Sequence, residues 1–392
     1  MKFRLHVLSV PHTRTTKEYS MCAFTQKAYK FCKMMTERGH YVIHYGVEGS
    51  NPICSENVVV VPNEIYNKCY GDYDLKNKTQ LPRYNPEDEC YQTFCTNAIK
   101  EIEKRKQPLD IILPFWNWGV KSVCDAFPDL ICIDPSIGNA NSSWLRYKVY
   151  ESYAIYHAHQ DLEAIKYCYP INNYEQVIHA FFDLDDFETN FNKKSRLNNS
   201  DPYFLYVGRI YNGKGVNIAI QVCEHLGVKL KLAGQLVDDY QNYPWSDNIE
   251  YVGGVGIEER NQLMKNAIAS FIPSQYIEPF GWVQVENLLC GTPIITPDWG
   301  AFTEINIDGI TGYRCKTFDD YINAALNCLE GKINYIDCRK RGEDFSFDNI
   351  APKYEKFFED VINLYINNGW YTIKEETKER VSNFKTKLNI IR

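Results

Sequence analysis

Basic residues are in the minority: 43 Lys and Arg stand against 50 Asp and Glu, for a formal charge of −7. The clustered cationic face of a nucleic-acid binder is therefore not expected. No run approaches the roughly 18 consecutive apolar residues that a membrane-spanning helix needs. No strongly basic amphipathic helix stands out either, which leaves at most a peripheral membrane association. The opening ten residues carry too short an apolar run for a secretory leader and read as a strand. The 14 Cys are scattered. The closest pairs (Cys22 and Cys32, Cys90 and Cys95, Cys124 and Cys132) lack the doubled C-x-x-C spacing of a zinc site. Free thiols and a reducing, cytoplasmic location are the expectation. No tandem repeat with a period of about 20–50 residues recurs along the chain.

What is present is ordinary for a soluble globular chain, with 44% hydrophobic and 24% charged residues. At roughly 100–200 residues per domain, 392 residues suggest two domains. The pattern along the chain agrees. Lys2–Ser9, Tyr41–Tyr45, Asn57–Val61, Asp110–Pro114, Leu130–Ile133, Ala164–Tyr167 and Val177–Phe181 read as strands. Helical spacing covers Lys17–Arg38, Tyr91–Arg105 and Leu145–His159, and Asn63–Asp88 reads as a long polar loop. After a polar stretch at Asp183–Asp201 the alternation restarts, with strands at Tyr203–Val207, Lys229–Leu232, Ile249–Val252 and Ala269–Pro273. From Glu343 onward the chain reads as mostly helical, with no further strand signal. Two α/β domains joined by one connector imply a cleft, and ligands of open parallel sheets bind beyond the carboxyl ends of the strands.

Two motifs carry the chemistry. The first is Tyr203–Gly215 (YFLYVGRIYNGKG), where a strand runs into a glycine loop and then a helix. Gly208 lets the backbone turn closely, Arg209 offers a planar fork of donors, and Lys214 offers a point charge. With the following helix N-terminus they suit a diphosphate. The spacing from Gly208 also fits a P-loop, but Gly215 stands where the magnesium-binding Ser or Thr belongs, so a nucleoside triphosphatase is the weakest reading. The second motif is Tyr276–Gly291 (YIEPFGWVQVENLLCG), with Glu278 and Glu286 separated by seven residues. Glu278 precedes Pro279, which excludes it from the helix. Pro279, Phe280 and Gly281 should open that helix, presenting the N–H groups near Gly281, Trp282 and Val283 to a phosphate or a sugar hydroxyl. A strand at Thr292–Thr296 and turns at Gly300, Asp308-Gly309 and Gly312 follow.

Together these segments resemble the family 4 retaining glycosyltransferases of GT-B fold. The V-G-R…K-G loop lies at Val207–Gly215, the E-P-F-G…E…G-x-P-x-I pattern at Glu278–Ile295, and the G-x-x-x-E…D-G…G tail at Gly300–Gly312. The resemblance covers about residues 177–330 well and the first half loosely. It implies two facing Rossmann-like domains with an interdomain cleft: an acceptor-binding domain over 1–190, a nucleotide-sugar-binding domain over 191–368, and a C-terminal crossover helix within 369–392 that packs back on the first domain. It implies transfer of a sugar from a GDP- or UDP-linked donor to a glycan, lipid-linked or small-molecule acceptor, with retention and without a metal or other cofactor. Arg209 and Lys214 would neutralise the donor diphosphate. Glu278, with the Phe280–Val283 backbone, would hold the donor sugar, so that Glu278, Arg209 and Lys214 form the catalytic set. Glu286 would hold the ribose, and Gly253 and Gly254 would lie at the base.

One departure stands out. Where many relatives carry a catalytic His in the first half, this chain reads Ile133–Asn139 (IDPSIGN). Candidates for the acceptor side are then His12, Trp116, Asn117 and Ser136. The D-x-D at Asp183–Asp185 reads as a solvated turn rather than a metal site. A sugar-nucleotide epimerase of the same fold and a non-catalytic glycan-binding protein are the competing readings.

Overall fold

The computed structural model describes residues 1–19, 22–71, 85–138, 143–167, 174–188, 196, 201–237, 240, 243–367 and 373–387, with 161–167 as backbone only. Two parallel sheets organise them. The first contains β1 (Arg4–Leu8), β2 (Tyr41–Val47), β3 (Glu56–Val61), β4 (Ile111–Pro114), β5 (Ile131–Ile137), β6 (Tyr147–Tyr150) and β7 (Glu175–Val177), in spatial order 3-2-1-4-5-6-7. The second contains β8 (Tyr203–Val207), β9 (Lys229–Ala233), β10 (Ile249–Gly253), β11 (Ser270–Phe271), β12 (Ile294–Pro297) and β13 (Gly312–Cys315), in order 10-9-8-11-12-13. Every pairing is parallel. Both sheets thus have the doubly wound order, which reverses between β1 and β4 in one and between β8 and β11 in the other.

Helices cover both faces of each sheet, which is why strands such as Ile111–Pro114 are buried at every residue. In the first half these are α1 (Ala23–Glu37), α2 (Asn63–Tyr70), α3 (Glu89–Glu103), α4 (Lys121–Asp125) and α5 (Tyr153–Tyr167). In the second they are α6 (Val216–Leu226), α7 (Ile257–Asn266), α8 (Trp282–Leu289), the short α9 (Phe302–Ile305), α10 (Phe318–Leu329) and α11 (Tyr335–Glu343). Two helices follow, α12 (Phe347–Ile366) and α13 (Glu375–Lys387). Local sequence sets several ends. Asp88 caps α3 by accepting from the Tyr91 N–H at 2.9 Å, and Thr317 with Asp320 forms a reciprocal capping box on α10.

Four readings change. Asn63–Tyr70 is a helix rather than loop, seated by Tyr66, which is fully buried; residues 72–84 of the same expected loop lie outside the described residues. Tyr147–Tyr150 is a strand, because so short a segment fits either period and here pairs with β5 and β7. Ala164–Tyr167 belongs to α5 instead of a strand. The helix that returns to the first domain is α12, earlier than 369–392. Its Ile350, Tyr354, Phe357, Phe358, Val361 and Ile362 share one core with Phe3, Phe31 and Ile133, whereas no residue of α13 is buried. The stripe on α12 repeats every three to four residues, and α13 offers little beyond Val381 and Phe384.

The connector joins both cores. Ile178 and Phe181 pack into the first, and Ala180, Phe182 and Phe187 into the second. Phe31 lies at the centre of an aromatic knot, with ring centroids 5.3 Å from Phe115, 5.8 Å from Phe181 and 5.4 Å from Tyr354. Asp183 and Asp186 are held by lysines of the first domain: Asp183 pairs with Lys33, and Asp186 with Lys30 at 3.0 Å and Lys17 at 2.7 Å. The D-x-D is therefore an ion-paired strap more than a solvated turn, although Asp185 itself stays exposed.

Candidate active site

The carboxyl ends of β1, β4, β8 and β11 meet across one cleft of about 510 Å³. On the second-domain wall, β8 ends at Val207 and the chain turns through Gly208 into a short 3-10 turn, Asn212–Lys214. Gly215 closes that turn at φ +68°, and a Cβ there would stand 1.9 Å from the Pro273 carbonyl, so no other residue fits. The turn aims Lys214 at Glu278, with Nζ 2.8 Å from Oε2. Ser274 Oγ donates to the same oxygen at 2.9 Å. The Lys214 ammonium also lies 4.9 Å from the centre of the Tyr276 ring. Burial, and then the Glu278 charge, push the Tyr276 phenol well above its ordinary range. Arg209 is exposed, packed 5.6 Å from the Tyr211 ring, and no carboxylate of the described residues pairs with it.

Glu278 is in the loop, as its place before Pro279 requires. The helix begins later than Pro279, at Trp282, because Gly281 takes a left-handed conformation (φ +75°) at its N-cap. The Gln284 N–H is taken by the Gly281 carbonyl at 2.9 Å. The N–H groups of Trp282 and Val283, at the very start of α8, have no i−4 partner within the helix, and both residues line the cleft with Phe280 and Gly281.

The first-domain wall carries His12, just past β1, and Trp116, just past β4. His12 Nδ1 meets the Tyr91 hydroxyl, and its ring stands edge-on to Trp116 at 4.8 Å. Burial lowers the His12 pKa to about 4, so the imidazole is neutral near pH 7. Three further residues on this wall escaped the sequence reading. Phe24 packs edge-on against Trp116 at 4.9 Å. Lys27 Nζ pairs with Glu151 Oε1 at 2.5 Å, each side chain only 3% exposed. Ser136 Oγ donates to the same Glu151 oxygen at 2.6 Å. Glu151 follows β6, so reading 147–150 as helix hid a carboxylate at a strand's carboxyl end. Lys27 sits inside α1 between Gln26 and Ala28, with no signal to single it out.

Gly208, Arg209, Lys214, Glu278, Phe280, Gly281, Trp282, Val283, His12 and Trp116 thus line one cleft. Glu286, Gly253, Gly254, Asn117 and Ser136 are not among its lining residues. Glu286 is buried and accepts from Arg260 Nη2 of α7 at 2.7 Å. Arg260 was not anticipated, since nothing local marks it as the partner of a residue on another helix. Gly253 ends β10 at φ +92°. Asn117 sits in a 3-10 turn at φ +29°, and Ser136 reaches the cleft only through Glu151.

Ser152 and Glu304 tie the walls together. Ser152 Oγ donates to the Pro279 carbonyl. Glu304, from α9, accepts from the N–H groups of Tyr153 at 2.9 Å and Ala154 at 2.8 Å, where α5 begins, and from His179 Nε2 at 3.1 Å. Burial opposes ionisation of Glu304, but these donors outweigh it and hold its pKa below the ordinary value.

Residues 187–344 match the family model described as glycosyl transferases group 1. A glycogen synthase of Mycobacterium tuberculosis is 35% identical over 126 residues, which is 29% of this chain and 30% of that protein. The Dictyostelium discoideum alpha-1,3/1,6-mannosyltransferase ALG2 is 26% identical over 200 residues, 48% of this chain and 44% of its own length. The chain thus spans less than half of the curated relatives named here. Among solved structures, the Thermosynechococcus elongatus sucrose-phosphate synthase superposes with a TM-score of 0.66 at 16% identity, covering 92% of this chain and all of that one. The Anabaena HepE protein, solved with UDP and glucose, superposes at 0.64 and 14% identity, over 91% of this chain. The likeness to these structures is one of fold: two facing α/β domains of GT-B type, within which residues 187–344 form a domain matching the glycosyl transferases group 1.

Proposed function

We propose that this protein is a glycosyltransferase that takes a sugar from a nucleoside diphosphate donor and passes it to a hydroxyl acceptor with retention of anomeric configuration. The observation that carries the reading is the second-domain wall. Arg209, Lys214 and the first N–H groups of α8 converge beside Glu278 at the carboxyl ends of β8 and β11, where a doubly wound sheet binds its ligands.

Transfer breaks the bond between the anomeric carbon and the diphosphate oxygen, whose electron pair leaves with the diphosphate. The acceptor oxygen bonds to the same carbon, and its proton passes to a diphosphate oxygen. Positive charge develops on the sugar and negative charge on the leaving group. Arg209, Lys214 and the α8 N-terminus stabilise the latter without reorganising. Glu278 accepts hydrogen bonds from the donor sugar's hydroxyls. Glu286, with Arg260 behind it, holds the ribose, and the Gly253–Gly254 turn receives the base. None of these roles needs a metal ion. The group 1 match over 187–344 and the UDP and glucose bound to the Anabaena neighbour favour this reading over a nucleoside triphosphatase.

The test is a thermal-shift panel of uridine, guanosine and adenosine diphosphates and their sugars, first without metal and then with magnesium. A native-state ligand at 100 times its Kd adds about 2.7 kcal/mol of stability. A shift confined to one base series and kept without metal is expected, and it names the donor. A shift with ATP and magnesium alone, or none, would overturn the reading.

A further inference from the structure

The two walls of the cleft differ in charge. Among the described lining residues the cations are Lys27, Arg209 and Lys214. Arg209, which no described carboxylate pairs, stands on the second-domain wall. On the first-domain wall Lys27 is neutralised by Glu151 at 2.5 Å, with both side chains 3% exposed. His12 on that wall is neutral, since burial holds its pKa at about 4. The wall therefore offers no net positive charge to an anion. It offers the aromatic pair Phe24 and Trp116 and a fixed donor–acceptor pair at its floor. The Lys27–Glu151 pair is closely built into the backbone. A Cβ on Gly138 would stand 2.3 Å from Glu151 Oε2 and 2.9 Å from Lys27 Nζ, so any other residue there would have to displace the ends of the pair.

We propose that the acceptor bound on this wall is an uncharged sugar, its ring face on Phe24 and Trp116 and its hydroxyls on Lys27 and Glu151, and that a phosphorylated or carboxylated acceptor is rejected. Sugar rings present an apolar face to aromatic side chains and hydroxyls that both donate and accept. An ammonium donates and a carboxylate accepts, so the pair matches a diol. An anionic acceptor would meet on this wall a carboxylate and a cation already engaged with each other, while Arg209, which no described carboxylate pairs, stands on the opposite wall. The inference rests on the transferase reading and specifies the acceptor for it.

Using the donor named by the thermal-shift panel, donor consumption is measured with neutral methyl glycosides and with the corresponding sugar phosphates and uronic acids. Neutral glycosides should accelerate consumption above the hydrolysis seen without acceptor. Their anionic counterparts should show a KM higher by about tenfold or more, the scale of one unfavourable charged contact. Glu151→Gln leaves Lys27 unneutralised and should shift the ratio of anionic to neutral KM toward the anions by about tenfold. Lys27→Met leaves the carboxylate alone and should shift it the other way, which covers the case that one variant does not fold. Equal use of neutral and anionic acceptors, or a ratio unmoved in both variants, would overturn the acceptor class while leaving the transferase reading intact. Donor left unconsumed under every condition would overturn both.

Discussion

Lys214 and Glu278 stand 2.8 Å apart, so the cation suited to a donor diphosphate and the carboxylate suited to its sugar neutralise each other before any donor arrives. Glu278→Gln frees Lys214 and should leave affinity for the bare nucleoside diphosphate unchanged or higher, while turnover falls. Titration calorimetry together with kcat measures both. A loss of diphosphate affinity in Glu278→Gln would show that Glu278 orients Lys214 rather than competing for it.

Arg209 and Lys214 should each contribute about 1.5–3 kcal/mol to diphosphate binding, the range of a charged hydrogen bond, with Arg209 at the lower end because it is exposed. Alanine at either position, checked by calorimetry on protein of unchanged melting behaviour, tests this. Wild-type affinity in either variant removes that residue from the site.

Acid should destabilise the protein between about pH 6.5 and 4. His12 and His44 are both buried, and burial lowers each pKa from 6.5 to about 4. In that window the unfolded chain binds protons that the native state refuses, so stability falls as pH falls. Each histidine can account for a few kcal/mol, on the order of 1.4 per pKa unit. Urea unfolding at pH 7 and pH 4.5 measures the difference. Asp134, raised to about 6 mainly by burial, works in the opposite sense, because its native form holds a proton that the unfolded chain releases. Replacing His44 with Asn should flatten the acid limb.

Phe31→Ala should cost about 3–5 kcal/mol, since it removes the ring on which a strand end, the connector and α12 converge. Replacing Val381 and Phe384 together by Ser should change stability by less than about 0.5 kcal/mol each, as both are exposed on α13. Chemical denaturation of both variants compares them. A large loss in the second would mean that α13 packs against something after all.

The second half was the more legible in the sequence, for a physical reason. Its motifs are glycines and prolines at fixed offsets from charged residues, and those offsets constrain the backbone directly. Gly208, Lys214 and Glu278 could be placed because Gly215 and Pro279 leave few conformations open. The first-domain wall has no such punctuation. Lys27 and Glu151 meet through tertiary packing of α1 against β6, and neither is flagged by its neighbours. Short segments added to the difficulty: YKVY at 147–150 satisfies both helical and strand spacing, and pairing with β5 decided it. The resemblance implies a crossover helix at the chain's end, but the apolar stripe that such a helix needs is carried by α12 and lacking in α13.

Glu304 supplies the first turn of α5 from the other side of the cleft, and it does so through backbone N–H groups of Tyr153 and Ala154. At this contact the first domain contributes atoms that any non-proline residue has and the second a carboxylate; at Ser152 the roles reverse, with the side chain from the first domain and the Pro279 carbonyl from the second. A foreign first domain grafted onto residues 201–367 must therefore receive the apolar stripe of α12 and supply a side chain that donates to the Pro279 carbonyl, while a foreign second half must supply an acid at position 304. Neither half is freely exchangeable, because each is keyed to the other by side chains that must travel with it.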